Sequence, residues 1–531
     1  MLEKTDPLKR AGMPLLFLTA AFMLLFNLGT PPLYILDEAK NAQAAREMLE
    51  QDEWVVPTFN AEPRLHKPPL HYYFMRVSYA MFGVNAFGAR FFSAVMGWLT
   101  IWITWYFVRR FIGKRPACWT AMTLLLATHF VFEFRLAVPD PYLIFFFTAG
   151  MLCFYAYAIE KRIKWLLLSA IAMALAVLAK GPVALLLGGG AVLCWTLVGK
   201  RFAILWSWKT LGYGLLILAL ALPWYIAVHR ATEGAFTREF LFTHNLERFG
   251  KPMEGHGGSP LLIPLFVFVG LLPMAVFLPS AFRRRAVDHR NPLVLLSACV
   301  AILTILFFSL SGTKLPNYPM PCYPFVAIII GTGISSLLHV KTFDVRYVLW
   351  PLLVIFAGLF GAAHIALSVE QTLIGVRFLP LIFLIPVIAV ALGLFLLHRI
   401  GVKFVLYVLA GGYIVFNLVA IQVAYPAICR QNPVTKMAPF LDPDEQLYAY
   451  KLYNPAFNFY LNKPIIVLHD EVALQELLSR SPQAKVIARA RELEALTGIP
   501  IKLLAKEKDL FEPPVSVIFS GMADTGGQIA R

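Results

Sequence analysis

Apolar runs of about twenty residues recur along the chain as far as position 425, separated by short polar connections. A helix needs ~20 apolar residues to cross a ~30 Å hydrocarbon core, so each run predicts a transmembrane helix. Thirteen are read, at roughly 12–33, 87–108, 116–134, 141–159, 165–179, 181–198, 210–229, 260–281, 293–310, 319–338, 347–369, 377–397 and 404–425. The fifth and sixth are short and share a break at Lys180-Gly181-Pro182. A single bent element there would remove one crossing and invert everything after it.

Two stretches depart from this rhythm. The connection 34–86 is long and polar: it opens with Leu36-Asp37-Glu38-Ala39-Lys40 and runs into a short amphipathic helix with Ala42, Ala45, Met48 and Leu49 on one face. It then turns at Arg64-Leu65-His66-Lys67-Pro68-Pro69. Carboxylates this close to a bilayer are costly unless they are used. The second stretch begins after Cys429, where Gln431 to Pro443 is polar and punctuated by proline. Strand-like pieces follow at Gln446 to Lys451, Pro464 to His469, Ala484 to Arg489 and Ile501 to Ala505, with helical pieces at Asn454 to Leu461, Asp470 to Arg480 and Ala490 to Thr497. The expected organisation is an α-helical polytopic membrane domain over 1–428 and a small α/β domain over 429–531, ending in a frayed tail from Gly521. No glycine-rich nucleotide loop is found in the small domain, and no internal repeat in the chain.

Composition agrees: 59% hydrophobic and 15% charged residues exclude a soluble fold. The net charge of +16 changes the picture only through its distribution. Lys and Arg gather in alternate connections, as in Arg109/Arg110/Lys114/Arg115, Lys161/Arg162/Lys164, Lys200/Arg201/Lys209 and Arg283/Arg284/Arg285/Arg290. This positive-inside pattern puts the N-terminus in the cytoplasm and, after thirteen crossings, the C-terminal domain outside. Short basic turns without aromatic interleaving argue against nucleic acid as a partner. The first run is long and lacks a small-residue cleavage site, so it reads as an anchor. Cys118, Cys153, Cys194 and Cys299 fall in or at the ends of spans as small hydrophobes, and nothing requires a bridge between Cys322 and Cys429.

The same topology collects Asp37, Glu38, His66, Lys67, Arg135, Asp140, His244, Arg248, His256, Lys314 and Tyr318 on the outer face, which implies a one-sided site at the membrane surface. Each has a plainer reading. Asp37 has the form of an N-cap, Asp140-Pro141 that of an N-cap followed by proline in the first turn, and Lys67 that of a snorkelling side chain. Glu133 and Arg135 are candidates to pair with each other. His66, His244 and His256, with Asp37 or Asp140, are candidate ligands of a divalent metal ion. A transporter or lipid-linked-sugar flippase would instead favour inverted repeats and charges at mid-membrane.

Five stretches carry a resemblance. Leu36-Asp37-Glu38-Ala39, His66-Lys67-Pro68-Pro69, Arg135-Leu136-Ala137-Val138-Pro139-Asp140, Phe242 to Phe249 (with His244 and Arg248) and Ser311-Gly312-Thr313-Lys314-Leu315-Pro316-Asn317-Tyr318 resemble, in order and spacing, motifs of the GT-C superfamily of lipid-linked-sugar glycosyltransferases. The chain is similar in particular to bacterial aminoarabinose (lipid A) transferases and to protein O-mannosyltransferases. The resemblance implies transfer of a sugar, such as 4-amino-4-deoxy-L-arabinose, from an undecaprenyl or other polyprenyl phosphate. The acceptor would be lipid A, a protein or another envelope glycan on the periplasmic side of the bacterial inner membrane. It implies a catalytic role for Asp37 and Asp140, with Glu38 as helper. Lys67 and Arg248 would bind the donor phosphate, and Lys314 and Tyr318 would complete the cradle. Family members often carry Glu where His66 stands. An O-antigen-type ligase shares the donor class but not these motifs.

Overall fold

In a computed structural model, the described residues run from 7 to 522, without 205, 252–256, 284–286, 288–289, 341–342, 443–444, 462–463, 495, 497 and 511–512. The side chains of 7–11, Asn245, Leu246, Arg248, Gln371 and Ile400 also lie outside that description. The frayed-tail expectation from position 523 onward falls outside it too.

Every predicted span falls on a helix or a broken pair of helices, but not all are continuous. Among the described residues nine helices are long and apolar enough to cross a membrane, or ten if the bent pair Leu262–Gly270 and Met274–Arg283 is one span. That pair turns through 111°. Gly12–Leu25 and Val183–Val198 are shorter apolar helices, so the first predicted run ends at Leu25 instead of continuing to 33. The run 116–134 breaks at Ala127 into Lys114–Leu126 and Thr128–Glu133. Asn417 repairs the break, its amide donating to the freed carbonyl of Leu126 at 3.0 Å while Thr128 Oγ1 donates to Asn417 Oδ1 at 2.6 Å. A freed backbone group inside an apolar core is tolerated only with such a partner. The break at Lys180-Gly181-Pro182 separates two helices, Ile163–Lys180 and Val183–Val198. Gly181 has φ 89°, and a Cβ there would lie 2.6 Å from the Phe240 ring, so both conformation and space require glycine.

Over one end of the bundle lie two further helices, Leu36–Glu50 and Leu70–Phe82. The first buries Ala42, Ala45 and Met48, as its pattern predicts, against Tyr72, Met75 and Tyr79 of the second. Between them a hairpin, Thr58–Phe59 with Glu62–Pro63, turns through Asn60 (φ 56°) and Ala61 (φ 65°). Glu47, almost fully buried, organises it. Its carboxylate accepts from Thr58 Oγ1 (2.7 Å), Asn60 N (2.7 Å), Ala61 N (3.1 Å) and Gln43 Nε2 (2.9 Å).

The C-terminal region forms a five-stranded mixed sheet in the order Ile466–Leu468, Tyr448–Tyr450, Val486–Arg489, Val515–Gly521, Ile501–Lys508. The first three strands are parallel, and Val515–Gly521 runs antiparallel to both its neighbours. Sequence reading finds four of the strands and misses Val515–Gly521, an apolar run opened by Pro513-Pro514. This sheet is tied to the outer helices. Asn60 bonds both the Asn458 side chain and the Ile465 backbone, Arg46 donates to Phe459 O, and Leu510 N donates to Tyr34 OH.

Candidate active site

Asp37 lies in the first turn of Leu36–Glu50, but its side chain does not cap that helix. The N-cap is Ile35, with no side-chain capping bond. Freed from that duty, the carboxylate turns toward Lys67, with Oδ2 3.7 Å from Nζ, and toward Arg64, with Oδ1 3.9 Å from Nη2. Its side chain is 60% exposed, whereas Lys67 is 17% exposed and Arg64 is buried. Arg64 is fixed from behind: Nη2 donates to Asn41 Oδ1 (2.9 Å), Nε to Tyr72 OH (3.1 Å), and Asn41 Nδ2 in turn to Ala137 O (3.2 Å). One fixed guanidinium and one fixed ammonium therefore face a single solvent-open carboxylate.

Electrostatics follow from that crowding. Lys67 above all, then Arg64, Lys40 and Lys180, hold the Asp37 carboxyl well below the usual carboxylate range, against the opposing effect of burial. Burial pushes the Lys67 ammonium down, and Asp37 partly restores it. Opposite charge in a partly buried setting favours ionisation of the acid. A site with this many cations around one anion suits a ligand that brings further negative charge.

Deeper in, Asp140 opens the helix Asp140–Glu160 but is not its N-cap either, since that position is Pro139. Its Oδ1 instead accepts from Lys180 Nζ at 2.5 Å, and the ammonium stands 5.4 Å from the centre of the Tyr318 ring. Lys180, read from sequence only as part of a helix break, is thus a site residue that reasoning missed. The signal was present: a lysine ending an apolar span beside Gly-Pro. Arg64, seen in sequence only as part of the basic turn, is a second omission.

Glu38 is placed differently from its expected helper role. It is fully buried and paired bidentately with Arg90, at 2.6 Å and 2.7 Å, while accepting from Ala137 N at 2.9 Å. A carboxylate sealed this way presents no face to a substrate, and it staples Leu36–Glu50 to Ala86–Phe111. Arg135 likewise does not meet Glu133. It donates to the carbonyls of Met23, Leu24 and Phe26. Lys314 turns back on its own loop, its ammonium 2.7 Å from Ser311 O. That loop is docked on the preceding motif, with Gly312 N donating to Phe249 O at 2.6 Å. The side chain of Arg248 and all of His256 lie outside the described residues.

His66 and His244 come together, their rings 4.3 Å apart, but the carboxylate beside them is Glu239, not Asp37 or Asp140. Glu239 Oε1 is 3.1 Å from His66 Nε2 and 3.9 Å from His244 Nε2, and one ligand atom from each residue lies within 4.8 Å of the others. Burial, helped by Arg64, Lys40 and Lys67, pushes the His66 imidazole down to about 4. Two imidazoles with one carboxylate are a donor set that suits a transition metal. Glu239 lies in the helical segment Thr237–Glu247, whose short spacing to His244 is the signal sequence reading passed over.

Known proteins bear on this geometry. The family described as Dolichyl-phosphate-mannose-protein mannosyltransferase matches residues 15–235, the part that carries Asp37, Lys67, Asp140 and Lys180. The Undecaprenyl phosphate-alpha-4-amino-4-deoxy-L-arabinose arabinosyl transferase 1 of Pseudomonas fluorescens is 30% identical over 356 residues, covering 64% of this chain. The chain spans 61% of that relative's length. A protein of Aquifex aeolicus with no assigned activity is 29% identical over 478 residues, 86% of this chain and 88% of its own. The fold is shared with the crystal structure of ArnT from Cupriavidus metallidurans bound to undecaprenyl phosphate, with TM-score 0.79, 22% identity, and coverage of 96% of this chain and 98% of that one. Over nearly its whole length the chain thus shares the fold of that structure, and its residues 15–235 match the mannosyltransferase family.

Proposed function

We propose that this protein transfers a sugar from a polyprenyl phosphate, such as undecaprenyl phosphate, to an envelope acceptor at the membrane surface where Asp37 lies. The observation that carries the reading is the solvent-open Asp37–Lys67 pair, 3.7 Å apart and backed by Arg64. As the glycosidic bond to phosphate breaks, negative charge grows on the leaving phosphate. A fixed cation at that point stabilises the transition state more than the ground state. Lys67 is that cation, with Arg248 joining it by family resemblance. Asp37 orients the acceptor, and for a hydroxyl acceptor it also receives the proton. For a phosphate acceptor, already an anion, its negative charge favours oxocarbenium character at the sugar. Asp140 and Lys180 form the inner wall against which the sugar rests.

Lipid A is the acceptor favoured by the motif resemblance to aminoarabinose transferases, and a relative of that name matches over more of the chain than the mannosyltransferase family does. A protein acceptor is the second reading, favoured by that family's description. The alternation of basic connections supports placement in a bacterial inner membrane with the site and the C-terminal region outside, and a reporter fused after Arg430 tests it by reading as periplasmic. His66, Glu239 and His244 would hold a divalent ion, which would supply positive charge next to the donor phosphate. Metal analysis of purified protein checks this, with the expected ion lost in the His244→Ala variant. The reaction itself is tested by incubating the purified chain with radiolabelled polyprenyl-phosphate sugars and candidate acceptors. Label should move from the lipid to the acceptor, and recovery of all label on the donor contradicts the reading.

A further inference from the structure

Between Glu160 and Glu233 the chain contains no acidic residue, yet basic residues recur through that stretch. Two of its helices, Val183–Val198 and Trp208–Ala231, are joined by a short connection. In it, and in the first turn of the second helix, stand Lys200, Arg201, Trp206, Trp208 and Lys209. The first helix starts just after Lys180 at the site, and the second ends a few residues before Glu239. The connection therefore lies at the opposite end of the bundle, about 36 Å away for a helix of this length rising ~1.5 Å per residue. Its backbone is held: Ser207 caps the second helix by accepting from Lys209 N at 3.3 Å, and Thr210 Oγ1 donates to Ile204 O at 2.5 Å. Trp206 and Trp208 nonetheless stand 90% and 87% exposed, with Lys200 and Lys209 exposed beside them. Indoles standing out of the fold at the end of a membrane helix belong in the headgroup layer of a bilayer. Among the described residues no carboxylate pairs with Lys200, Arg201 or Lys209, and Glu160, at this end of its own helix, is held by Arg110 (2.7 Å) and Arg162 (3.8 Å).

A groove of about 350 Å³ opens from this connection along Trp208–Ala231. Thr210, Leu211, Gly214, Leu215 and Leu218 line it, with Leu185 of the neighbouring helix. The Thr210 hydroxyl already donates to Ile204, so the groove offers hydrocarbon contact alone. From Thr210 to Leu218 it runs about 12 Å at ~1.5 Å per residue, the span of a stretch of acyl chain. Gly214 keeps it open, since a Cβ there would meet no atom within 4 Å. Charge complementarity names the occupant. A chain lying in the groove puts its headgroup at the Thr210 end, among cations without carboxylate partners and exposed indoles, where net negative charge is favoured. A polyprenyl chain whose phosphate sits at Lys67 brings no charge to that end. We propose that the groove and the turn at its mouth bind an anionic phospholipid of the surrounding bilayer. One acyl chain lies against Leu211, Gly214 and Leu215, and the phosphate meets Lys209, with Lys200 and Arg201 adding to the positive field. This site is separate from sugar transfer and does not depend on it.

Native mass spectrometry of the full-length, delipidated protein tests it, by titration with phosphatidylglycerol and with phosphatidylcholine of the same acyl chains. The tightest site should prefer phosphatidylglycerol by about tenfold or more. Lys200→Gln combined with Lys209→Gln should abolish that preference while leaving phosphatidylcholine binding unchanged. Gly214→Phe, which fills the groove, should weaken both lipids at that site by about tenfold, as expected when the chain loses its contact surface. Gly212→Phe is the control: its Cβ also meets no atom within 4 Å, but it does not line the groove, so it should bind like the wild-type chain. If melting shows that Gly214→Phe does not fold, Leu215→Trp at the 58% exposed Leu215 takes its place with the same expectation. Equal affinity for the two lipids in the wild-type chain, a preference that survives loss of both lysines, or unchanged binding in the groove variant overturns the proposal. Displacement of phosphatidylglycerol by equimolar undecaprenyl phosphate gives the groove to the donor chain and overturns it as well.

Discussion

Adjacent residues Asp37 and Glu38 share a helix turn and a charge, yet live in opposite environments. Glu38 meets Arg90 in a pair that is at most 1% exposed on either side, and all five guanidinium protons and both carboxylate oxygens are matched by backbone or side chain. Asp37 meets Lys67 at longer range in a pair that is 60% and 17% exposed. The first has no vacancy for a ligand and holds two helices in register. The second is loosely closed, surrounded by surplus cations, and so is available for exchange with a phosphate. An acidic dipeptide at a membrane surface thus divides its labour, with the inner residue fixing the backbone that aims the outer one.

Breaking the sealed pair should have the largest effect. Arg90→Ala leaves Glu38 buried without its partner, a loss of about 3–5 kcal/mol. Thermal melting in detergent should show a strongly destabilised or unfolded protein, and Arg90→Met combined with Glu38→Leu should recover much of the stability. A wild-type melting curve for Arg90→Ala would dissolve the contrast. Lys67→Ala should leave melting nearly unchanged but raise donor KM and lower kcat, about tenfold or more in kcat/KM, ~1.4 kcal/mol. The double variant with Arg248→Ala should lose less than the sum of the single losses if both side chains serve one phosphate. Strict additivity would separate them.

The smallest effect concerns His66 and pH. Its folded-state value of about 4 lies below the ordinary 6.5, so between those limits the unfolded chain binds a proton that the folded one refuses. Stability contributed by the neutral ring is fully present above pH 6.5 and is lost as pH falls toward 4. His66→Gln should therefore flatten part of the decline in melting temperature over that window. An identical pH profile in the variant would mean that the ring is not held neutral by its surroundings.

Much of this was legible in the sequence because membranes impose a simple code. Apolar length gave the helices, and the motif order gave Asp37, Lys67, Asp140 and Tyr318. What was hidden is long-range pairing, which no local pattern encodes. Lys180 reads as the end of a span until it is seen 2.5 Å from Asp140. Glu38 reads as a second catalyst until Arg90, fifty-two positions away, closes on it. Glu239 lies 173 positions from His66 and completes a cluster that sequence had assigned to other carboxylates. The missed strand Val515–Gly521 has the same cause, since its place in mid-sheet depends on neighbours on both sides. Helix breaks at Ala127 and in 260–281 were passed over because each run is apolar on both sides of the break, although Thr128-His129 and Gly270 with Pro273 mark them.

The central claim is that the Asp37–Lys67 pair carries sugar transfer, and Asp37→Asn in the labelled-lipid assay tests it most directly. Asparagine keeps the size and removes only the charge, so the variant should melt like the wild-type chain while turnover falls at least about a hundredfold, ~2.7 kcal/mol of barrier. A normally folded Asp37→Asn protein that transfers sugar at the wild-type rate would contradict the account.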